Sequence, residues 1–431
     1  MGNSINNIKV TVGKEAVAAG TEAARSAVLP ISGAPSIVKK AQNEKDPAIV
    51  GTNMATGKIM TSYDVGGSIP LSFRPCKGVG LALKSLLGTE ATPAQVGGLI
   101  RIRYTGSEDS CKISASASGD TLDSDIGDKG SESGDSNFGT AGSIDLTHAD
   151  FDTLDELVTV INGYTDYDCD KLFEETGGCD SDEILDITNL QAKDTYALVW
   201  FGSSASGVYK HTFTSDLTSS ERTTLSIQKD GYQDNYLYTG CVVDSMSISG
   251  ALKGFVESDV EVLGFDESDG EEASELSLED IDPMAFSSGS SSIGDLDTTY
   301  ISNFNLDIKN NSNADGYGQG SLGRVYHSKG TFEATGEIQI RLDSNSVDFR
   351  DLAFSSTNTS LFFEFEGREL ASGVPEAAYI ELPYCGIIEP DYPENNGVID
   401  LKLGFEAFNP KGTNYNDPLT VTILTEDSAA Y

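Results

Sequence analysis

The residues that could carry chemistry in this chain are three histidines, six cysteines and a large surplus of carboxylates. His148, His211 and His327 stand far apart, without the short spacings that place two imidazoles on one metal ion. Cys76, Cys111, Cys169, Cys179, Cys241 and Cys385 are dispersed, with no Cys-x-x-Cys. Buried free thiols are the expectation, although Cys169 and Cys179 are near enough in sequence to pair. Gly318-x-Gly320-x-x-Gly323 fits the dinucleotide fingerprint letter by letter, but residues 324–334 read as strand where a helix is required, so a turn is expected. Gly51–Lys58 imitates a phosphate loop with five residues between its glycines, and Ile59 replaces the needed Ser or Thr. Asn311-x-Asn313-x-Asp315-Gly316 opens like a calcium loop, yet Leu322 stands where the bidentate glutamate belongs. There is no Gly-x-Ser-x-Gly elbow. With 68 acidic residues, carboxylates fall near one another by chance, so two-carboxylate hydrolysis is not indicated. No catalytic residue, cofactor site or metal site is expected.

Two short stretches present charge in a pattern instead. In Val256–Val262, Glu257, Asp259 and Glu261 share one face of a strand, and Val256, Ser258, Val260 and Val262 share the other. Burying three unpartnered carboxylates would cost several kcal/mol each, so their face meets water. Glu337, Gln339 and Arg341 form a second polar strand face, of mixed charge.

The first triplet closes the stretch Thr223–Phe265, around which the chain is organised. Leu225 and Ile227 alternate with polar residues, Asp230-Gly231 is a turn pair, and Tyr236–Tyr238 and Cys241–Val243 flank Thr239-Gly240. Met246 and Ile248 alternate with serines before Lys253-Gly254 turns again. Period-two alternation bounded by Gly and Asp marks a series of short antiparallel strands.

Length and charge bound the rest. A chain of 431 residues suggests two or three domains, and 45 glycines with few helical patterns favour a β-rich protein. The net charge of −40 gives a self-repelling surface and argues against tight nucleic-acid binding, which rests on cations neutralising phosphates. A conduit for DNA is a different case, because its wall must not hold passing phosphates. MGNSINNIKV shows no basic and apolar leader, and no membrane span or lipidation signal is expected.

Residues 1–56 read as an arm or extended loop, with Ala16–Val28 a weak helix candidate. Ile69, Leu71 and Phe73 mark a strand in which Pro70 hints at an edge or bulge. Val79, Ala82, Leu83, Leu86 and Leu87 predict a helix over Lys77–Leu87, stopped by Gly88. From about residue 98 the character changes. Strands are expected at Leu99–Tyr104, Cys111–Ile113, Ser143–Leu146, Glu183–Ile187 and Tyr196–Phe201, with a polar loop over Gly119–Gly142. A helix at Thr153–Asn162 opens on a capping box of Thr153 and Glu156. Together these suggest a small α+β domain inserted into a loop of the first β domain. Residues 266–295 read as an acidic, serine-rich solvated linker.

The second half echoes the first. GSIPLSFR at Gly67–Arg74 aligns with GEIQIRLD at Gly336–Asp343, matching Ile69, Leu71 and Phe73 to Ile338, Ile340 and Leu342. A helical pattern follows each, at Lys77–Leu87 and Val347–Phe354, then a strand (223–228 and 359–365), then a closing strand ending in Gly-Phe (259–265 and 400–405).

GYQDNYLYTGCVVDSMSIS with VESDVEVLGF resembles the core segment of the tail tube proteins of long-tailed bacteriophages, and the likeness extends upstream through GKIMTSYDVGGSIPLSFRPCKGVGLALKSLLG. The resemblance implies β-sandwich or barrel-like units with a flanking helix, joined into rings that stack into a tube carrying DNA. It implies self-association, contacts with tail terminator, tape measure and baseplate proteins, no membrane partner, and a place in the virion after assembly in the host cytoplasm. The expected layout is a first unit over 1–97 and 207–265, the insertion over 98–206, the linker over 266–295, and a second unit over 296–431. Six units per ring would then need three chains; six chains, each forming one composite unit, is the competing arrangement. The Glu257, Asp259 and Glu261 face is expected to line the lumen, with the outside of the tube as the other wet surface. The insertion is expected on the outside, dispensable for assembly. A cell-surface or carbohydrate-binding β-sandwich is the alternative function, and it would be expected to carry an export signal.

Overall fold

The computed structural model describes residues 8–431 except 17–18, 46–56, 149–150, 194, 204, 218–221, 232–233, 271–274, 295, 298–300, 314, 342–348, 352–353, 355–357, 371–372, 396–397 and 410–416. The chain is mainly β: one large antiparallel network and one five-stranded sheet.

Within the N-terminal segment, residues 9–14 and 27–28 are paired strands where an arm or extended loop was expected. β1 (Lys9–Lys14) pairs along its whole length with β15 (Leu225–Asp230), placing Val12 opposite Ile227, and β2 (Ala27–Val28) lies against β1. Val10, Val12 and Ala27 are buried, which fixes the segment by apolar burial that its polar neighbours obscured. β3 (Val38–Lys45) and β4 (Lys58–Ser72) form a long hairpin. Pro70 lies beyond the stretch of β4 that pairs with β3, while on its other side it stands opposite Asp259; its carbonyl accepts from the Ser32 N–H.

α1 (Lys77–Leu87) has the predicted bounds, and Gly88 ends it at φ +100, a conformation that glycine adopts without Cβ strain, and opens the short β5 (Gly88–Glu90). The predicted stripe is buried, but so are Gly78, Gly80, Leu81 and Ser85, so the helix is enclosed on most sides.

The segment that follows has its own core. β6 (Ala94–Tyr104) pairs with β11 (Tyr167–Glu174) and β13 (Ala197–Gly202). β7 (Ser110–Ser116), β8 (Thr121–Gly127), β9 (Ser133–Gly134), β10 (Ser143–Asp145) and β12 (Ile187–Gln191) make the five-stranded sheet. The polar stretch at 119–142 is therefore not all loop. Leu122 and Ser124 of β8 point inward while Asp123 and Asp125 stay partly exposed, so the charges masked a two-residue period. Glu183 closes a 3₁₀ turn, and the strand expected there begins only at Ile187. α2 (Leu154–Asn162) carries the complete Thr153–Glu156 capping box.

β14 (Tyr209–Ser215) leads back through β15 to β16 (Asn235–Ala251), a single strand of 17 residues where shorter ones were expected. Thr239-Gly240 is a bulge rather than a turn: Leu225 lies opposite Cys241 but Ile227 opposite Tyr238. Gly240 has φ +64, and a Cβ there would lie 2.3 Å from the Phe265 ring. β17 (Glu257–Gly264) pairs with β16 and β4. Parts of the acidic segment 266–295 are strands as well. β18 (Asp266–Asp269) pairs with Tyr236–Thr239, β19 (Gly289–Ile293) pairs with β20 (Leu296–Asp297), and Met284 is fully buried. Backbone pairing needs no apolar side chain, so composition did not reveal it.

β21 (Ile301–Lys309) pairs with both β16 and β22 (Glu333–Arg341), joining the two halves in one sheet. Phe349–Asp351 and Phe354 are helical; the rest of the second predicted helix lies outside the described residues. β23 (Thr359–Glu369) pairs with β19 and β24 (Pro375–Asp391). β26 (Val398–Ala407) pairs with β22, β24 and the short β25 (Glu394–Asn395). β27 (Thr420–Thr425) joins β24 to β14. One apolar core runs under both halves, from Val10 to Tyr431.

Candidate functional site

The strands β4, β17, β16, β21, β22, β26 and β24 follow one another as neighbours in a single antiparallel sheet. Directly opposed residues share a face, so side-chain direction can be followed across it. One row reads Ser72, Glu257, Ser249, Asn305, Glu337, Gly404. The next reads Pro70, Asp259, Ser247, Asp307, Thr335, Glu406, and a third reads Ser68, Glu261, Ser245, Lys309, Glu333. Gln339 and Arg341 continue the same face towards Lys402 and Asp400.

All six residues singled out by sequence therefore lie on one face of one sheet. Glu257 and Glu337 share a row, three strand spacings apart, or about 14 Å. Glu257, Asp259, Glu261, Glu337 and Arg341 are exposed, and Gln339 is half-buried. The opposite face is dry: Ile69, Val260, Met246, Leu306, Ile338 and Leu403 are each at most 2% exposed. Each such side chain contributes about 1.5–3 kcal/mol by leaving water, which fixes which face turns outward.

The charges are unevenly distributed. Where the three rows cross β4, β17 and β16, the wet face carries the three carboxylates among serines and Pro70 and no cation. The Ser68 hydroxyl donates to Asp259, and the Ser245 hydroxyl donates to Glu261 Oε2 at 3.3 Å. In the second half, Lys402 Nζ meets Glu337 Oε1 at 2.8 Å, and Gln339 Nε2 donates to Asp400 Oδ2 at 2.8 Å. Lys309, Lys402, Asp307 and Asp400 join this face only through strand register, which the sequence did not specify. Same-face neighbours along β17 are about 7 Å apart, so their mutual repulsion in water is only about 0.6 kcal/mol per pair.

The histidines serve packing. His211 is fully buried; Nε2 donates to the Asp427 carbonyl at 2.7 Å, and Nδ1 lies 3.0 Å from Glu90 Oε1. His327 Nε2 donates to the Gly240 carbonyl at 2.7 Å, and its ring stacks on Phe265. Burial, with Arg222 and Arg324 nearby, pushes His327 down to about 4. His148 stacks on Phe151. The six cysteines are free and buried, and burial raises the thiols, Cys76 to about 12 and Cys111 to about 11. Among the described residues no three His, Cys, Asp or Glu are arranged to hold a metal ion. A cleft of about 280 Å³ is lined by Trp200, Lys210 and Glu381. Burial there pushes Lys210 down to about 8 and Glu381 up to about 7.

A family model for phage tail tube proteins matches residues 5–407 of the chain. No curated protein matches it.

Proposed function

The chain belongs to the phage tail tube protein family, structural and non-enzymatic components of the virion tail that self-assemble into a tube; from that premise we propose that each chain supplies two tube units and that three chains close a ring. The observation that carries this reading is a strand order that occurs twice. In the first half the order is β2, β1, β15, then the N-terminal part of β16, then β18; the C-terminal part of β16 continues to β17, β4 and β3. In the second half it is β20, β19, β23, then the N-terminal part of β24, then β27; the C-terminal part of β24 continues to β26, β22 and β21. Both long strands have 17 residues and share a bulge at the equivalent position: Thr359 lies opposite Cys385 and Leu361 opposite Leu382, as Leu225 and Ile227 lie opposite Cys241 and Tyr238.

On this reading Ile338 takes the place of Ile69, as the letters suggested, because each faces the equivalent closing-strand residue, Leu403 or Val260. That match moves the Gly-Phe alignment by three residues, so Val262 corresponds to Phe405. It also starts the second unit at Gly289 rather than 296 and reduces the linker to the segment between β18 and β19. The first unit is interrupted by an inserted domain at about 98–206.

The continuous wet face, whose three rows over β4, β17 and β16 carry carboxylates, serines and Pro70 but no large apolar side chain, supports its assignment to the lumen. Glu257, Asp259 and Glu261, joined by Glu337, Gln339 and Arg341, would keep DNA phosphates from adhering as they pass. Tail terminator, tape measure and baseplate proteins are the expected neighbours at the tube ends and inside it. The test is the rotational symmetry of reconstructed tubes. Three chains per ring with pseudo-sixfold density supports the reading. Six chains with true sixfold symmetry overturns the two-unit ring, and protein that never forms tubes overturns the assembly role itself.

A further inference from the structure

We propose that the cleft beside Trp200 is a binding site for a neutral sugar of one or two pyranose rings. Its floor is the outer face of β14, β27 and β24. Register puts Thr214, Thr420 and Glu381 in one row and Thr212, Thr422 and Tyr379 in the next, with Lys210 two residues further along β14. The other face of these strands is core: Phe213, Val421, Ile423 and Ile380 are fully buried. The threonines, Lys210 and Glu381 therefore point away from the core and into the cleft. The wall comes from β12 and β13, through Leu190, Leu198 and Trp200. The site thus forms only where residues 98–206 pack on the second half, and it uses no residue of the acidic sheet face.

Three features fit this occupant. The first is a pair of polar groups left open. Lys210 Nζ lies 4.9 Å from the centre of the Trp200 ring, but among the described residues neither this amine nor the Glu381 carboxylate has a hydrogen-bond or ion-pair partner. Both residues are half-buried, and a charge withdrawn from water without a partner is costly. The hydroxyls between them are already engaged: Thr212 and Thr422 meet at 3.2 Å, and Thr214 donates to Asp417. The second feature is the division of the lining into a polar floor and an apolar wall. A sugar ring is divided in the same way, with an apolar C–H face and hydroxyls that each donate and accept. One such molecule can accept from Lys210 and donate to Glu381, which neither a simple anion nor a simple cation can do. The third is charge. Burial pushes Lys210 down to about 8 and Glu381 up to about 7, and it raises Asp417, so near neutral pH the lining holds less charge than its residue types suggest. An uncharged occupant is favoured over phosphate or a polyamine. The volume of about 280 Å³ lies at the small end for ligand clefts, roughly 300–1,000 Å³, which limits the occupant to one or two rings.

Trp200 is the only tryptophan of the chain, so its fluorescence reports occupancy of this cleft without any substitution. The full chain is titrated with glucose, galactose, N-acetylglucosamine, maltose and chitobiose. At least one should give a saturable change in emission, and glutamate, phosphate and spermidine at equal concentration should give none. Tighter binding of a disaccharide than of its component sugar marks the end of a glycan chain as the source, and equal binding marks a free sugar; either supports the site. Lys210→Met and Glu381→Met, which keep much of the side-chain volume, should each weaken the response about tenfold. No saturable change with any of the five sugars overturns the proposal, and that titration needs no variant to fold. An equal change with glutamate, phosphate or spermidine overturns it too, as does a sugar response that both folded variants leave intact. None of these outcomes bears on tube assembly.

Discussion

The ring of Tyr431 lies against Gly80 in the middle of α1: a Cβ at position 80 would sit 2.2 Å from its Cε2. The same ring stacks on His211 with centroids 4.3 Å apart and planes 10° from parallel. The segment after β27 is thus locked onto the helix of the first half, and glycine inside a helix, ordinarily unfavourable by about 1 kcal/mol, is offset by this packing.

Gly80→Ala is expected to destabilise the chain by about 1–3 kcal/mol, because overpacking outweighs the gain in helix propensity. Denaturant unfolding measures this. Combining Gly80→Ala with Tyr431→Ala should recover part of the loss relative to Tyr431→Ala alone, since the clash is then removed.

Acid should erode stability through His327. Its folded value, about 4, lies below its ordinary value, so the unfolded chain binds a proton that the folded chain refuses. The contribution is complete above about pH 6.5 and falls as pH drops towards 4, by on the order of 3 kcal/mol. Glu90 acts in the same direction at lower pH. Burial alone would raise it, but hydrogen bonds from His211 and Lys84 hold it below its ordinary value, so its contribution is lost as the carboxylate protonates. A His327→Gln variant should show a flatter fall in unfolding midpoint between pH 7 and 4 than the unmodified chain.

Residues 98–206, the segment proposed as an insertion, cannot be removed without cost to the second half. Trp200 meets Tyr379 edge-on at 5.4 Å, and Leu99, Phe173 and Leu198 share a core with Phe362, Val374 and Leu424. A bare deletion of 98–206 uncovers that apolar surface, so the expected tube-forming deletion variant needs polar replacements at Phe362 and Val374. Trp200→Ala should cost about 3–5 kcal/mol, and a double-mutant cycle with Tyr379→Leu should give a coupling of about 0.5–1.5 kcal/mol.

Changing Glu257, Asp259 and Glu261 together to lysine should leave folding and tube formation within normal range, because all three are exposed and their opposite face carries the packing. DNA ejection from particles bearing these tubes should slow or stall, and less so at high salt. Normal ejection at low salt would rule out a lumenal position for these side chains.

The sequence determined the elements whose signals are local. α1 was legible because five apolar residues recur at helical spacing before Gly88, and the α2 cap because Thr153 and Glu156 satisfy each other's backbone. The polar face of β17 was legible because carboxylates alternating with valines admit only one orientation. Tertiary structure decided what depends on residues far apart in the chain. β1 was unreadable because its partner lies over 200 residues away, and β18 because backbone pairing tolerates acidic side chains that composition assigns to a loop. That Glu257 and Glu337 share a row was hidden for the same reason. A strand fixes which side chains point together, but its neighbour and register come from the competition of whole edges for burial and hydrogen bonds, and that competition is settled only when the chain has folded.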